Sequence, residues 1–272
     1  DIKITSVHKP SPFPLIVQKI DGLNVNTDEI TEPINVVVDN IFLEDLINFQ
    51  QIEFEFIKGY YWDGKRDYRI QDEIKKRILI LDGAMGTAIQ QYGLTEADFR
   101  GSEFISHPVN LKGNNDILNL TCPEVIRQIH RSYIEAGADI IETNTFNSNA
   151  ISQAEYRGEK LVYRLNYAGA KLAVTEARAA SHQVYVAGSM GPTSKTLSLS
   201  PDVNRPEFRP VDFDTLVSTY AEQVSGLIDG GVDLLLVETV FDGLNAKAAL
   251  YAITQVQEEK RTSLPVMLSS TI

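Results

Sequence analysis

Short apolar runs alternate with longer amphipathic segments from residue 77 to the end of the chain. The apolar runs predict strands at 77–82, 138–143, 184–188, 232–238 and 265–270. Helices are predicted between them, over 84–92, 148–156, 159–180, 212–229 and 243–259. Strands that are apolar throughout and separated by helices are typical of a parallel sheet with helices outside. We therefore predict an α/β fold, namely a partial (β/α) barrel of TIM type with about five parallel strands.

The first 76 residues follow a different pattern, broken by turn-forming prolines and glycines. Two short strands and two short helices are predicted there, at 36–39, 51–57, 41–49 and 69–76. We therefore predict two domains, a small α+β segment at 1–76 and a barrel domain at 77–272.

One helix start and two helix ends have clear signals in the barrel region. Thr121 is predicted as an N-cap, because Pro123 follows in the first turn and Glu124 stands at the capping-box position. Gly137 and the pair at 230–231 are predicted to end the helices that precede them.

Charge and cysteine content exclude several classes of protein. The formal net charge of -12 argues against non-specific binding to nucleic acid or to an anionic membrane. The single cysteine, Cys122, excludes a disulfide framework and fits a reducing cytoplasm. No apolar stretch reaches the roughly 20 residues of a membrane span. Because the chain begins with Asp1 rather than Met, we expect that its first residues are missing.

Polar side chains follow the predicted strands, where a (β/α) barrel keeps its chemistry. Asp82 precedes Gly83, whose backbone leaves room for a ligand, and it binds a ligand or caps the next helix. Glu238 needs a partner when buried, either a bound cation or a salt bridge in the barrel mouth. The polar run 142–145 forms ordinary loop hydrogen bonds or a third part of the site. Two acids on one rim would suit a substrate ammonium.

Long motifs in the second region resemble a known family. Residues 78–87 read ILILDGAMGT, residues 136–147 read AGADIIETNTFN, and residues 237–247 read VETVFDGLNAK. With the shorter motifs at 97–101, 111–116, 191–193 and 199–204, they resemble the homocysteine-binding barrel of cobalamin-dependent methionine synthase. The resemblance covers residues 77–272.

This resemblance implies a (β/α)8 barrel in a cytoplasmic methyltransferase. Homocysteine would be activated through its sulfur on zinc, and methylcobalamin would supply the methyl group that makes methionine. In this family, acids at the positions of Asp82 and Glu238 hold the ammonium of the substrate. Gly83, Thr143 and Asn144, at the same strand ends, complete the expected substrate contacts, and no catalytic residue is assigned.

The sequence departs from the family in its metal site. The family's zinc ligands are three cysteines on the sixth and eighth strands, whereas this chain ends near the fifth, and Cys122 matches none of them. Domains for methylcobalamin and methyltetrahydrofolate are not in this chain, so its partner would be the cobalamin-binding domain of the same enzyme. We expect weak or no zinc binding, no catalysis, and a marginally stable, aggregation-prone open barrel with exposed strand edges.

Residues 10–76 carry a weaker resemblance, on the stretch at 59–74, to a viral-type family B DNA polymerase. This segment has no Asp-x-Asp pair of the kind that two-metal phosphoryl transfer needs. A junction near Lys76 would mark a chimeric reading frame or a natural appendage. Two other functions therefore remain beside the methyltransferase, a non-catalytic fragment that binds a small amino acid and a fragment of a DNA polymerase.

Overall fold

The structure, a computed structural model, describes residues 3–8, 16–21 and 69–271. The chain divides into two compact units, Asp1–Lys65 and Arg66–Ile272. The first unit contains an antiparallel pair of strands, β1 (Lys3–His8) and β2 (Ile16–Asp21). Sequence analysis predicted only turns here and missed both strands. The elements predicted at 36–39, 41–49 and 51–57 lie outside the described residues.

The second unit alternates helices with four parallel strands. The strands are β3 (Ile140–Glu142), β4 (Tyr185–Met190), β5 (Leu234–Val240) and β6 (Val266–Ser270). The helices are α1 (Arg69–Lys76), α2 (Met85–Gln91), α3 (Glu96–Arg100), α4 (Leu118–Thr121), α5 (Pro123–Glu135), α6 (Ala150–Gln153), α7 (Val162–Ala179), α8 (Phe213–Gly230) and α9 (Gly243–Lys260).

The sheet has the order β3-β4-β5-β6, and all its neighbours are parallel. The four predicted strands after residue 137 are therefore confirmed, and the fold is a partial (β/α) barrel. The prediction of a full strand at 77–82 was wrong, because only Leu81 bridges to Ile140. Just before this bridge, the Ile80 N–H donates to the Asp139 carboxylate at 2.8 Å instead of to a strand.

Both faces of the sheet are apolar, and successive residues alternate between them. The outer face packs against α7, α8 and α9 through Ile141, Val186, Leu235 and Val237. The inner face is formed by Ile140, Tyr185, Ala187, Leu234 and Leu236, and Ile70 of α1 packs into the same cluster. Ile70 is 3% exposed, so α1 closes the inner face near the starts of the strands.

Helix ends in this unit agree only in part with the sequence signals. Gly137 and Gly231 have φ values of 98° and 95°, the left-handed geometry that favours glycine after a helix, as predicted. The Thr121 N-cap was wrong: Thr121 is the last residue of α4, and its hydroxyl donates to the Ile117 carbonyl. Cys122 stands at the N-cap of α5 and makes no side-chain capping bond. Within the described ranges, no helix combines the length and apolar character needed to cross a membrane.

Candidate substrate site

Three carboxyl groups meet where the parallel strands end. Glu142 is the last residue of β3, and Glu238 lies near the end of β5. Side chains two residues apart on a strand lie on the same face. Glu142 therefore shares the inner face of β3 with Ile140, and Glu238 shares the inner face of β5 with Leu236, so both project toward the barrel interior. Asp82 joins them from the segment beside β3, where its Oδ1 accepts a hydrogen bond from the Glu142 N–H at 3.0 Å. We call these three residues the acid cluster.

Each member of the acid cluster is harder to ionise than a carboxyl group in water. Burial raises the pKa of Asp82 to about 7, and the nearby charge of Glu238 adds to this rise. Burial also raises the pKa of Glu142 to about 8, with further contributions from Glu238 and Asp82. For Glu238, burial raises the pKa, while a hydrogen bond from Ser189 opposes the rise. The three groups therefore influence one another electrostatically.

The acid cluster has no cationic partner among the described residues. None of the ion pairs in this part of the chain includes Asp82, Glu142 or Glu238. Glu238 accepts a hydrogen bond from the Ser189 hydroxyl, and Asp82 accepts from backbone N–H groups. The Glu142 carboxyl accepts none from the described side chains. A half-buried cluster of this kind needs a cation or bound protons to balance its charge.

Neither Asp82 nor Glu238 makes the alternative contact that sequence analysis offered for it, as far as the described residues go. Asp82 does not cap α2, because Ala84 is the N-cap residue and no side chain bonds there. Glu238 forms no salt bridge in the described region, and its protein partner is the neutral Ser189 hydroxyl. Sequence analysis included Glu142 only in the polar run 142–145, whose role it left open, and it assigned no role to Ser189. Their positions on the inner-face register of β3 and β4 would have identified both.

Strained backbone follows Glu238 directly. Thr239 has a φ of 55°, and the pairing of β5 with β6 shifts register between Val237 and Val240. A β-branched residue with positive φ is a conformational outlier that costs on the order of 1–3 kcal/mol. Irregularities of this kind often redirect a side chain next to a functional site. The strain at Thr239 therefore fixes the direction in which Glu238 leaves the strand.

Replacing Thr239 with glycine is expected to raise the free energy of unfolding by about 1 kcal/mol, because glycine adopts positive φ without strain. The same change should loosen Glu238 and weaken ligand binding at the acid cluster. Denaturant unfolding and calorimetric titration of one preparation would measure both. A Thr239→Gly variant that is less stable than the parent chain would contradict this account. Thr254→Gly, in the helix α9, is the control and should only destabilise.

Two further residues of the predicted site form hydrogen bonds inside the protein. Thr143 is 3% exposed, and its hydroxyl bonds to the Thr145 hydroxyl at 2.6 Å and accepts from the Ser189 N–H at 2.9 Å. The Asn144 amide donates to the Asn115 carbonyl and to Asn119 Oδ1, at 2.8 and 3.1 Å. These bonds fix the loop that follows β3, directly behind Glu142.

The side chains of the described region do not fit a bound zinc ion. They include no group of three or more His, Cys, Asp or Glu residues arranged to hold a metal, and the acid cluster is no exception. Cys122 lies beside α5, where its Sγ donates to the Asp98 carbonyl at 3.4 Å. Burial raises the pKa of this thiol, which disfavours the thiolate that zinc binds.

Comparison with known proteins agrees with this fold. Two solved structures of the homocysteine methyltransferase MmuM from Escherichia coli, in metallated and oxidized forms, align with TM-scores of 0.54 and 0.52. Both are 23% identical to this chain over 72% of its length. The chain spans 64% and 63% of the length of those two proteins. At 23% sequence identity, this structural similarity shows that the fold is shared.

The first 76 residues take no part in the family match, and the resemblance of 10–76 to a viral DNA polymerase is not supported. A sequence model of the family described as homocysteine S-methyltransferase matches residues 79–272. This range contains all three members of the acid cluster and every strand of the parallel sheet. On this evidence, the chain belongs to the homocysteine S-methyltransferase family.

Proposed function

We propose that residues 77–272 bind homocysteine for methyl transfer to its sulfur, which yields methionine. The observation that carries this proposal is the acid cluster, three half-buried carboxyl groups without a cationic partner in the described structure. It lies at the strand ends of a barrel whose sequence belongs to a homocysteine methyltransferase family. An α-ammonium group supplies the positive charge that the cluster needs.

Asp82 and Glu238 are proposed to accept hydrogen bonds from this ammonium. Partial burial strengthens both contacts, because the carboxylates compete less with water than they would on the surface. The hydrogen bond from the Ser189 hydroxyl and the strained backbone conformation of Thr239 hold the Glu238 side chain in one direction. The cluster thereby fixes the α-carbon end of the substrate and leaves its sulfur to face the methyl donor.

Gly83, Thr143 and Asn144 are proposed to shape the site around this ammonium. The backbone of Gly83 lies beside Asp82 and allows close approach of the substrate. Thr143 and Asn144 act from behind, since their internal hydrogen bonds hold the end of β3 in place. This arrangement assigns them a positioning role instead of direct contact.

In the proposed reaction the substrate thiol gives its proton to solvent and its sulfur bonds to the methyl carbon, while the bond between that carbon and the donor breaks and leaves its electron pair on the donor. We propose methylcobalamin as the donor, carried by the cobalamin-binding domain of a methionine synthase. This chain contributes substrate binding and orientation, and we propose that it does not catalyse transfer by itself. A non-catalytic amino-acid-binding role is the second candidate, and it is favoured by the lack of fit to zinc in the described region.

The experiment that tests the proposed function compares ligands that differ by one group. Isothermal calorimetry of the whole chain should show binding of L-homocysteine and of L-methionine. 4-Mercaptobutanoate, which is homocysteine without its amino group, should bind at least tenfold more weakly. Equal affinity for the ligands with and without the amino group would refute the role of the acid cluster. An assay of methyl transfer from added methylcobalamin to homocysteine would distinguish the two candidate functions. Transfer would show an enzyme, whereas homocysteine binding without transfer would indicate a non-catalytic binding role.

Replacing Gly83 with alanine is expected to weaken amino-acid binding about tenfold or more while the fold persists. Among the described residues, a Cβ at Gly83 would meet the Tyr133 side chain alone, with its hydroxyl oxygen at 3.8 Å and a ring carbon at 4.0 Å, which is ordinary van der Waals contact. The protein itself therefore has no need for glycine here, so a loss would come from the ligand. Calorimetry and thermal unfolding measure the two effects. Unchanged affinity in Gly83→Ala would remove Gly83 from the site. Gly243→Ala, where a Cβ would meet no described atom within 4 Å, is the control.

A further inference from the structure

We propose that Glu142 is a third carboxyl of the ammonium site, and that it holds a proton which amino-acid binding must release. The inference rests on the proposed function and adds a residue and a charge-coupled step to it. Neither follows from the resemblance of the motifs, which assigns the ammonium to the positions of Asp82 and Glu238 alone.

The geometry places Glu142 between the two other acids. Its backbone N–H donates to Asp82 Oδ1 at 3.0 Å, so these two residues are fixed to each other. Across the sheet, β3 pairs with β4 and β4 pairs with β5, which carries Glu238. All three carboxyl groups are therefore near one another at the same end of the sheet.

The charges at this site do not balance if every carboxyl group is ionised. In the free protein, three negative charges would then lie together in a partly buried site without a cationic partner among the described residues. Glu142 is the member without a hydrogen-bond donor among the described residues, so its ionised form is the least stabilised. Its pKa, raised to about 8 by burial and by the charges of Glu238 and Asp82, agrees with a protonated carboxyl at neutral pH.

The groups around Glu142 allow no simpler neutralisation. The segment before α2 presents Asp82, β5 presents Glu238, and β4 presents the uncharged Ser189. No lysine, arginine or histidine of the described chain forms an ion pair with any of the three acids. Two like charges therefore lie near Glu142, and an incoming cation offsets part of their repulsion.

The binding step is a proton exchange without any redox change. The protonated Glu142 carboxyl gives its proton to solvent as the ammonium arrives, and the resulting carboxylate accepts a hydrogen bond from that ammonium. The ammonium brings one positive charge as one proton leaves, so the net charge of the site stays the same. By linkage, affinity should then fall about tenfold for each pH unit below the pKa of the cluster and level off above it.

Calorimetry with L-methionine as the probe tests this exchange, because methionine has no thiol proton to release. Titrations at pH 7 in buffers with different ionisation enthalpies give the number of protons released. We expect at least about one proton for the parent chain, with Asp82 adding to the share of Glu142, and a clearly smaller number and a weaker pH dependence of affinity for Glu142→Gln. Glu142→Asp should restore the release, and the exposed Glu259→Gln should behave like the parent chain.

The outcomes separate this inference from the proposed function. Binding of methionine without proton release, or equal release in Glu142→Gln, would overturn the inference and leave the amino-acid site standing. Absence of methionine binding at any pH would overturn both. Infrared difference spectra of the free protein between pH 6 and 9 provide a test without ligand. Asp82 also ionises in this range, so the expected result is a protonated-carboxyl signal that is larger in the parent chain than in Glu142→Gln, and equal signals in the two proteins would refute the inference.

Discussion

Glu238→Gln is expected to weaken L-methionine binding by roughly 100-fold and, at pH 8, to stabilise the free protein by about 1 kcal/mol. The two effects have opposite signs because the same charge serves the ligand and repels its neighbours. The variant keeps the shape of the side chain, and its amide oxygen can still accept the Ser189 hydrogen bond. What it removes is the negative charge.

The stabilisation follows from the sign of the pKa shifts in the acid cluster. The pKa of Asp82 rises from 3.8 to about 7, and that of Glu142 from 4.5 to about 8. A group whose folded pKa exceeds its unfolded value stabilises the fold below the unfolded pKa, and this contribution is lost as pH rises through the folded pKa. The free protein should therefore lose stability between about pH 4 and pH 8, and removal of the Glu238 charge should reduce that loss.

Urea unfolding of the parent chain and Glu238→Gln at pH 6 and pH 8 measures this effect. The stability gap should widen at the higher pH, while methionine affinity falls at both. Glu207→Gln removes an exposed charge outside the cluster and should change neither quantity. A Glu238→Gln variant that binds methionine normally, or that is less stable than the parent at pH 8, would contradict the account. Sites that are strained for function commonly trade stability for binding in this way.

Sequence analysis predicted a strand correctly where the strand has a neighbouring strand on both sides, or where its apolar run fits no other secondary structure. The β4 strand is buried along its whole length, and its apolar pattern has a single interpretation. The strand predicted at 77–82 did not form for a local reason. The Asp139 carboxylate accepts the hydrogen bond from the Ile80 N–H that would otherwise have gone to a neighbouring strand. Ile78 is 85% exposed, so apolar character alone did not produce a strand.

The acids of the site could be predicted, but their environment could not. Asp82 and Glu238 follow apolar runs, which is a sequence signal, and Glu142 shares the register of the inner face. The positive φ of Thr239 had no signal, because threonine disfavours that conformation and the tertiary structure imposes it. The short helices α3 and α4 were also missed, since segments of five and four residues carry too little periodicity to be distinguished from a loop.

His130 is expected to make the protein sensitive to acid through a mechanism separate from the acid cluster. The structure buries it completely in α5. Neither ring nitrogen has a hydrogen-bond partner in the described structure. Burial lowers its pKa from 6.5 to about 4, although the charge of Glu176 acts in the opposite direction.

The charged groups near this ring belong to one network between α5 and α7. Glu176 of α7 forms ion pairs with Arg127 and Arg131 of α5, at 2.8 and 3.0 Å, and it is 5% exposed. Because both arginines already neutralise Glu176, little negative charge is left to stabilise a protonated imidazole. The neutral form of His130 is therefore the one that the fold accommodates.

The sign of this effect is opposite to that of the acid cluster. The unfolded chain takes up a proton at His130 near pH 6.5, whereas the folded chain takes it up only near pH 4. Stability from this residue is therefore complete above pH 6.5 and declines as pH falls toward 4. The full loss amounts to about 3 kcal/mol, which is a large part of the stability of a typical domain.

His130→Leu should remove this loss while changing stability little at pH 8, because an apolar side chain of similar volume replaces a ring whose nitrogens make no hydrogen bonds. Denaturant unfolding of both proteins from pH 8 to pH 4.5 should give curves that separate below pH 6.5, with the variant the more stable. Ile129→Val, at the neighbouring buried position, should instead lower stability equally at every pH by about 1 kcal/mol. Parallel curves for His130→Leu and the parent chain would show that His130 is protonated in the folded state as readily as in the unfolded one, and that the carboxyl groups alone set the response to acid.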